Sequence, residues 1–156
     1  MEKVSRYHNN GTIKEQGCLD EGGMRQGKWT VFFRDGQTQV ESTYLNDKVH
    51  GVFKRYHDNG NLAIESHYVR GENEGLWKEF YPSGMIKEES IYKNGAYFPI
   101  NFWSYTGEQT LTNGTGKKSE AFGTSGSLVV ELYFEKGKFI EEKKLTNGKY
   151  GKFFPR

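Results

Sequence analysis

A repeat of 24 residues organises most of this chain. At one position of the repeat, glycine recurs with spacings of 25, 24 and 24 residues. A second position carries glycine with an aromatic residue two places later, and a third carries tyrosine. The residues are Gly11, Gly36, Gly60 and Gly84; Gly27, Gly51 and Gly75; Trp29, Phe53 and Trp77; and Tyr44, Tyr68 and Tyr92. A period between 20 and 50 residues predicts a stacked array of small structural units, which usually serves for binding.

Each unit is predicted to be a pair of antiparallel strands with a tight turn at each end. After Asn59-Gly60, which we expect to form a two-residue turn with positive φ at both positions, apolar and polar residues alternate from Leu62 to Tyr68. Arg70-Gly71 predicts the second turn, and Gly75 begins the return strand. No stretch has helical periodicity. We therefore expect an all-β fold, an elongated antiparallel meander of hairpins in a single sheet that curls or twists.

The whole chain, residues 1–156, is predicted to be one repeat array. Four repeats are clear, at residues 6–29, 30–53, 54–77 and 78–103. Residues 104–154 carry degenerate repeats, with a Gly/Ser/Thr-rich interruption at 112–125 that we expect to be a loop. Lys136-Gly137 takes the place that Arg70-Gly71 has in its repeat, and residues 149–154 resemble a closing strand.

Charge is balanced overall but unevenly distributed. There are 22 basic and 20 acidic residues, a formal net charge of +2, which argues against direct nucleic-acid binding. Residues 58–89 have a net charge of −4, whereas residues 136–156 have +5. The acidic stretch suggests docking of a basic partner, although a solvated face would give the same pattern. The single Cys18 and the absence of an apolar N-terminal segment favour a reducing, cytoplasmic setting.

The repeat resembles the MORN repeat in the order of its Tyr, Gly-x-x-x-Gly, aromatic and turn-glycine residues between Tyr68 and Gly84. The aromatic residue two places after Gly27, Gly51 or Gly75 is typical of the variant repeats found in bacterial YwqK-type antitoxins. This resemblance implies a non-enzymatic protein that binds and neutralises a toxin, for example a basic nuclease. Association with phospholipid or a membrane surface, or a role as an assembly scaffold, is the alternative.

No residue set predicts catalysis, a cofactor or a metal. His8 and His57 occupy equivalent places in their repeats and are interpreted as parts of the turn scaffold. Glu41, Glu65 and Glu89 also occupy equivalent places in their repeats, and we interpret them as residues of a solvent-exposed face. The segment at 113–119 looks like a phosphate-binding loop, but its glycine and lysine spacing does not fit one.

One aromatic segment departs from the repeat pattern, and it is the candidate partner-binding region. It provides Tyr97, Phe98, Phe102, Trp103 and Tyr105. Two interpretations stay open, a plug that packs over the sheet and an aromatic hot spot for a partner protein. The acidic residues Glu72, Glu74 and Glu79 complete the predicted binding set.

Overall fold

The fold is an open antiparallel sheet of hairpins. The structure is a computed structural model, and it describes residues 1–122, 128–146 and 149–151, with side chains described for 1–120 and 129–145. Fourteen strands lie in these residues, and their order in the sheet follows their order in the chain. The strands are β1 Glu2–Tyr7, β2 Ile13–Leu19, β3 Arg25–Phe32, β4 Thr38–Leu45, β5 Lys48–Tyr56, β6 Leu62–Val69, β7 Glu72–Phe80, β8 Ile86–Lys93, β9 Ala96–Trp103, β10 Gln109–Thr112, β11 Thr115–Phe122, β12 Leu128–Glu135, β13 Lys138–Thr146 and β14 Lys149–Gly151. The predicted all-β class, built from antiparallel hairpins, is confirmed.

The chain divides into two compact units. Unit 1 comprises Met1–Ile86 and Ile91–Tyr97, and unit 2 comprises Lys87–Ser90 and the described residues from Phe98 onward. Within each unit, neighbouring strands pair antiparallel, as β5 does with β6 and β12 does with β13.

Three-residue loops close one end of the hairpins. At Gly60 the backbone N–H donates to the carbonyl of His57, and His57 N–H donates to the carbonyl of Asn61. Only Gly60 in this loop has positive φ, at 83°. The expectation that Asn59-Gly60 forms a two-residue turn with two positive φ values is therefore wrong, because a right-handed turn followed by one left-handed glycine closes the loop. The same hydrogen bonds recur at Gly11, Gly36, Gly84 and Gly107.

Two-residue loops close the other end of most hairpins. The predicted turn at Arg70-Gly71 is present, and its two central residues are both left-handed, with φ of 53° and 92°. Asn46-Asp47, Asn94-Gly95, Asn113-Gly114 and Lys136-Gly137 share this geometry.

Side chains link successive turns. The ring Nε2 of His8 lies 3.1 Å from the carbonyl oxygen of Phe32, and that of His57 lies 2.9 Å from the carbonyl oxygen of Phe80. Asn59 Nδ2 donates to the carbonyl of Pro82 at 2.7 Å. The prediction that the two histidines are turn scaffold is confirmed by these contacts.

An aromatic ladder covers one face of unit 1. Trp29 directly opposes Ser42 in the next strand, Ser42 opposes Phe53, and Phe53 opposes Ser66. The tyrosines pack beside this row, with ring centroids 6.2 Å apart for Trp29 and Tyr44. Small residues at alternate places leave room for the large rings, which pack edge-on or tilted against the tyrosines of the next strand, so the predicted stripes form a single layer.

The glycine before each ladder aromatic sits in a β-bulge. One residue separates Ser66 from Tyr68 on β6, but three separate their partners Trp77 and Asn73 on β7. Gly75 supplies the left-handed conformation within this longer segment, with φ of 90°. Gly27 and Gly51 have the same role in β3 and β5.

Gly75→Ala is expected to lower the free energy of unfolding by about 1–2 kcal/mol, the cost of a left-handed residue with a Cβ. Nothing lies within 4 Å of the position that this Cβ would take, so backbone strain alone causes the loss. Gly22→Ala is the matched control, since its φ is not in the left-handed region. Urea unfolding measures both, and an equal effect of the two substitutions would contradict the bulge geometry.

Two segments outside the clear repeats differ from expectation. Most of the predicted interruption at 112–125 is strand β11, because the left-handed Asn113-Gly114 pair turns β10 directly into it. Residues 123–125 of that prediction lie outside the described residues. The aromatic segment is strand β9 rather than a plug, because its residues join the hydrogen-bonded ladder with β10. Residues 149–151 form β14, and the remainder of the predicted closing strand lies outside the described residues.

Candidate protein-binding surface

The predicted binding residues fall into both units. Unit 1 holds Tyr97 with the three glutamates, and unit 2 holds the other four aromatic residues. The full set is Glu72, Glu74, Glu79 and Tyr97 in unit 1, and Phe98, Phe102, Trp103 and Tyr105 in unit 2.

The three glutamates do not form one cluster in unit 1. Glu72 is exposed at the start of β7, and the Glu74 carboxylate accepts a hydrogen bond from the backbone N–H of Asn94 at 3.2 Å. Glu79 lies further along the same strand, directly opposite Ile64 on the ladder face. Two of the acids thus lie near the two-residue turns, and the third is separated from them by the bulge at Gly75.

Tyr97 extends the aromatic ladder of unit 1. Its ring lies 5.4 Å from that of Tyr92, which in turn packs against Trp77 at 6.5 Å. Tyr97 is half-buried in this stack. Its principal contact is therefore structural, with part of the ring left accessible.

The four aromatic residues of unit 2 differ in exposure. Phe102 is 2% exposed, so it is a core residue and is not part of the surface we propose. Trp103 is half-buried, whereas Phe98 and Tyr105 are exposed. Phe98 lies near the start of β9 and Tyr105 lies in the turn after its end. The extended chain from Phe98 to Trp103 alone spans about 17 Å at 3.3 Å per residue, so the two aromatic residues do not form a single hot spot.

Phe98 instead contributes to a different exposed cluster, which we call the phenylalanine patch. Its other members are Phe134, Phe139 and Ile140, on β12 and β13. Phe134 and Phe139 are directly opposed across these strands, with ring centroids 6.0 Å apart and nearly perpendicular planes. Phe139 and Ile140 are each more than half exposed. Three large apolar side chains thus face solvent at one end of unit 2.

Stacked turns hold the phenylalanine patch together. Gly114 N–H donates to the carbonyl of Ile100 at 2.7 Å, and Gly137 N–H donates to the carbonyl of Gly114 at 2.9 Å. A Cβ at Gly114 would lie 2.5 Å from the nitrogen of Gly137, so this approach requires glycine. The Phe98 ring comes within 4.0 Å of the Cβ position of Gly137, two residues before Phe139.

Charged side chains surround and support the patch. Glu135, Lys136 and Lys138 are exposed at the turn or beside it. On β12, the buried Glu131 carboxylate binds Lys117 Nζ at 2.5 Å and accepts the Tyr133 hydroxyl hydrogen bond at 2.7 Å. The Lys117 contact holds the pKa of Glu131 below its ordinary value, despite the opposing effect of burial. The ion pair thus links β12, the strand that carries Phe134, to its neighbour β11.

The sequence contains a signal for two of the three patch residues that lie outside the predicted binding set. Tyr97-Phe98 and Phe139-Ile140 occupy equivalent places, two and three residues after a turn glycine, at Gly95 and Gly137. Polar residues Asn73-Glu74 take these places after Gly71. Comparison of turn-flanking positions across the repeats would find both apolar pairs.

Two kinds of feature are absent from the described part of the chain. No helix there is long and apolar enough to cross a membrane. No group of three or more histidine, cysteine, aspartate or glutamate side chains among the described residues is arranged to hold a metal ion.

Comparison with protein families identifies one match. The family model described as the MORN repeat variant matches residues 25–46, 49–70 and 73–94. A search of curated proteins found no match. Each matched segment begins near the start of a strand, passes through a three-residue turn and ends at the next two-residue turn. Residues 25–94 therefore contain three tandem segments that match the MORN repeat variant.

Proposed function

We propose that this protein is a non-enzymatic protein-binding module and that the phenylalanine patch is its main binding surface. The observation that carries the proposal is that the exposed Phe98 lies against the Gly137 turn, which the exposed Phe139 and Ile140 follow by two and three residues. Exposed apolar clusters bordered by charge are typical of interaction sites, and aromatic anchors supply much of the binding energy at such sites.

The finer proposal is that the partner is a toxin and that this protein is its antitoxin or immunity protein. Its support is the resemblance of the repeats to those of YwqK-type antitoxins, together with the match to the MORN repeat variant. In this proposal binding occludes the active site of the toxin, in the cytoplasm. Glu72 and Glu74 in unit 1 are available to meet basic residues of such a partner.

Phe139→Ser together with Ile140→Ser is expected to abolish capture of the partner from native extract. Both side chains are exposed, so their loss removes contact area with little effect on folding. Met85→Ser is the matched control, because Met85 is similarly exposed but lies at a three-residue turn of unit 1. Mass spectrometry of proteins retained by tagged wild type and both variants makes the comparison.

The outcomes of this capture experiment are distinct. A stoichiometric partner retained by wild type and Met85→Ser but lost from the double variant supports the patch. Retention by all three proteins contradicts it. Expression of the captured partner alone then tests the toxin assignment, which requires growth arrest that co-expression of wild type relieves and the double variant does not.

A second candidate function is attachment to an anionic membrane surface. The exposed Lys136 and Lys138 precede Phe139 and Ile140, and lysines beside inserted apolar side chains favour anionic lipid. Flotation with vesicles of phosphatidylcholine and phosphatidylserine at physiological salt tests it. Co-migration of wild type but not of the double variant would favour this function over a protein partner.

A further inference from the structure

The second face of unit 1, opposite the aromatic ladder, carries two ordered rows of side chains. The first, the charged row, crosses β4 to β7 with one residue from each strand. The second, the apolar row, crosses β5 to β8 in the same manner. The charged row is Glu41, Lys54, Glu65 and Lys78, and the apolar row is Val52, His67, Leu76 and Ile91.

The charged row alternates in sign from strand to strand. Glu41 directly opposes Lys54, Lys54 opposes Glu65, and Glu65 opposes Lys78. Lys54 Nζ lies 3.3 Å from the Glu65 carboxylate, and Glu41 also pairs with Lys28 at 2.7 Å. The carboxylate side chains of Glu41 and Glu65 keep 31% and 41% of their surface exposed. A regular alternating array of charges thus faces outward.

The apolar row borders the charged row on the same face. Val52 directly opposes His67. Leu76 precedes Trp77 on β7, and Ile91 precedes Tyr92 on β8, so each points away from the ladder. Val52, Leu76 and Ile91 are 50%, 48% and 40% exposed. Three aliphatic side chains on nearby strands are therefore left uncovered beside the charges.

We propose that this face is an interface with a second copy of the chain. A row that alternates as Glu-Lys-Glu-Lys is complementary to itself when its order is reversed. A two-fold axis parallel to the strands, between two sheets packed face to face, reverses the strand order and keeps the rows aligned. With the axis between β5 and β6, every carboxylate of the charged row then meets an ammonium group of the other copy. Val52 meets His67 of the other copy, and Leu76 lies over its β4, near Thr43.

The size of the face determines how strong the association is. Five strands about 4.8 Å apart and six residues at about 3.3 Å each outline roughly 480 Å² on each copy. Two copies together then bury on the order of 1,000 Å², at the low end for specific complexes. The dimer is therefore reversible and concentration-dependent, and its dissociation constant falls in the micromolar range or above.

Sedimentation velocity of the whole chain tests this interface. Because the expected affinity is weak, the measurement covers a range of concentrations up to about 1 mM. We expect dimers at the upper end for wild type. Val52→Ser together with Leu76→Ser raises the dissociation constant at least about tenfold, because each change removes apolar contact from both copies. Met85→Ser, outside both rows, leaves it unchanged. A wild type that remains monomeric, or equal effects of the variant and its control, would overturn the proposal.

A charge-exchange experiment tests the self-complementarity itself. Lys54→Glu with Lys78→Glu makes the row wholly acidic, and Glu41→Lys with Glu65→Lys makes it wholly basic. Each variant alone is expected to be monomeric, and a mixture of the two is expected to form a heterodimer. Like charges on paired strands lower stability, so circular dichroism must first show that both variants fold. If they do not fold, the variant Val52→Ser with Leu76→Ser provides the test instead. Folded charge variants that fail to associate on mixing would refute the charge pairing.

Discussion

Lys118→Met is expected to lower the free energy of unfolding by about 3–5 kcal/mol, the cost of leaving one partner of a buried ion pair alone. In unit 2 the Lys118 Nζ lies 2.5 Å from the Glu88 carboxylate, and both side chains are almost completely buried. The Ser90 hydroxyl donates to the same carboxylate, and the lysine nitrogen lies 5.8 Å from the centroid of the Phe102 ring. Without Lys118, the Glu88 carboxylate loses this ion pair while it stays buried. Urea denaturation followed by tryptophan fluorescence measures the loss.

Two further variants test whether the stability loss in Lys118→Met comes from breaking a buried ion pair. Glu88→Leu combined with Lys118→Met is expected to recover most of the lost stability, because an apolar pair of similar volume can replace a buried ion pair. Lys143→Met is the surface control, since Lys143 pairs at 3.0 Å with the half-exposed Glu141 and should cost no more than about 1 kcal/mol. If Lys118→Met costs no more than Lys143→Met, the buried pair does not have the environment described.

Trp29→Ala is expected to cost about 3–5 kcal/mol, as for other large aromatic side chains removed from a core. Trp29 is 1% exposed and donates from Nε1 to the Glu15 carboxylate at 3.2 Å. A Cβ at Gly17 would lie 2.0 Å from its ring, so the absence of a side chain at Gly17 creates the space that the indole fills. Removal of the ring leaves this space empty. Thermal and urea unfolding both measure the effect.

Trp77→Ala is the matched control for Trp29→Ala. Trp77 has the same place in its repeat and packs against Tyr92 as Trp29 packs against Tyr44, but it is only half-buried. Its loss should therefore be clearly smaller. Equal losses would show that burial does not distinguish the two positions.

The fold is largely predictable because the chain repeats. The fixed spacing of Gly27, Gly51 and Gly75 defines the hairpin period in the sequence, and Arg70-Gly71 carries the residue types of a two-residue turn. The turn type predicted for Asn59-Gly60 is wrong. A glycine with positive φ occurs in both two-residue turns and three-residue loops, so the Asn-Gly pair does not distinguish between the two lengths. The segment after Thr112 resembles an interruption in sequence because glycines that permit close backbone contact, such as Gly114, look like loop glycines.

The candidate surface is predictable only in part. Phe98 is an exposed aromatic, as the sequence predicts, but Phe102, four residues later on the same strand, is in the core. Which face of β9 is covered depends on pairing with distant strands, and sequence alternation alone does not decide it. Phe139 and Ile140 join Phe98 because two turns stack through Gly114 and Gly137, a contact between residues far apart in the chain. The acidic stretch is less open to a partner than its charge suggests, since Glu88 is buried against Lys118.

The central claim is that the phenylalanine patch binds a partner protein, and calorimetric titration of the purified partner tests it most directly. We expect Phe139→Ser with Ile140→Ser to weaken binding by about 30-fold or more, the loss of roughly 2 kcal/mol at an aromatic hot spot. Val52→Ser with Leu76→Ser, on the second face of unit 1, is expected to leave the affinity for the partner unchanged. Equal affinity of wild type and the patch variant would contradict the account.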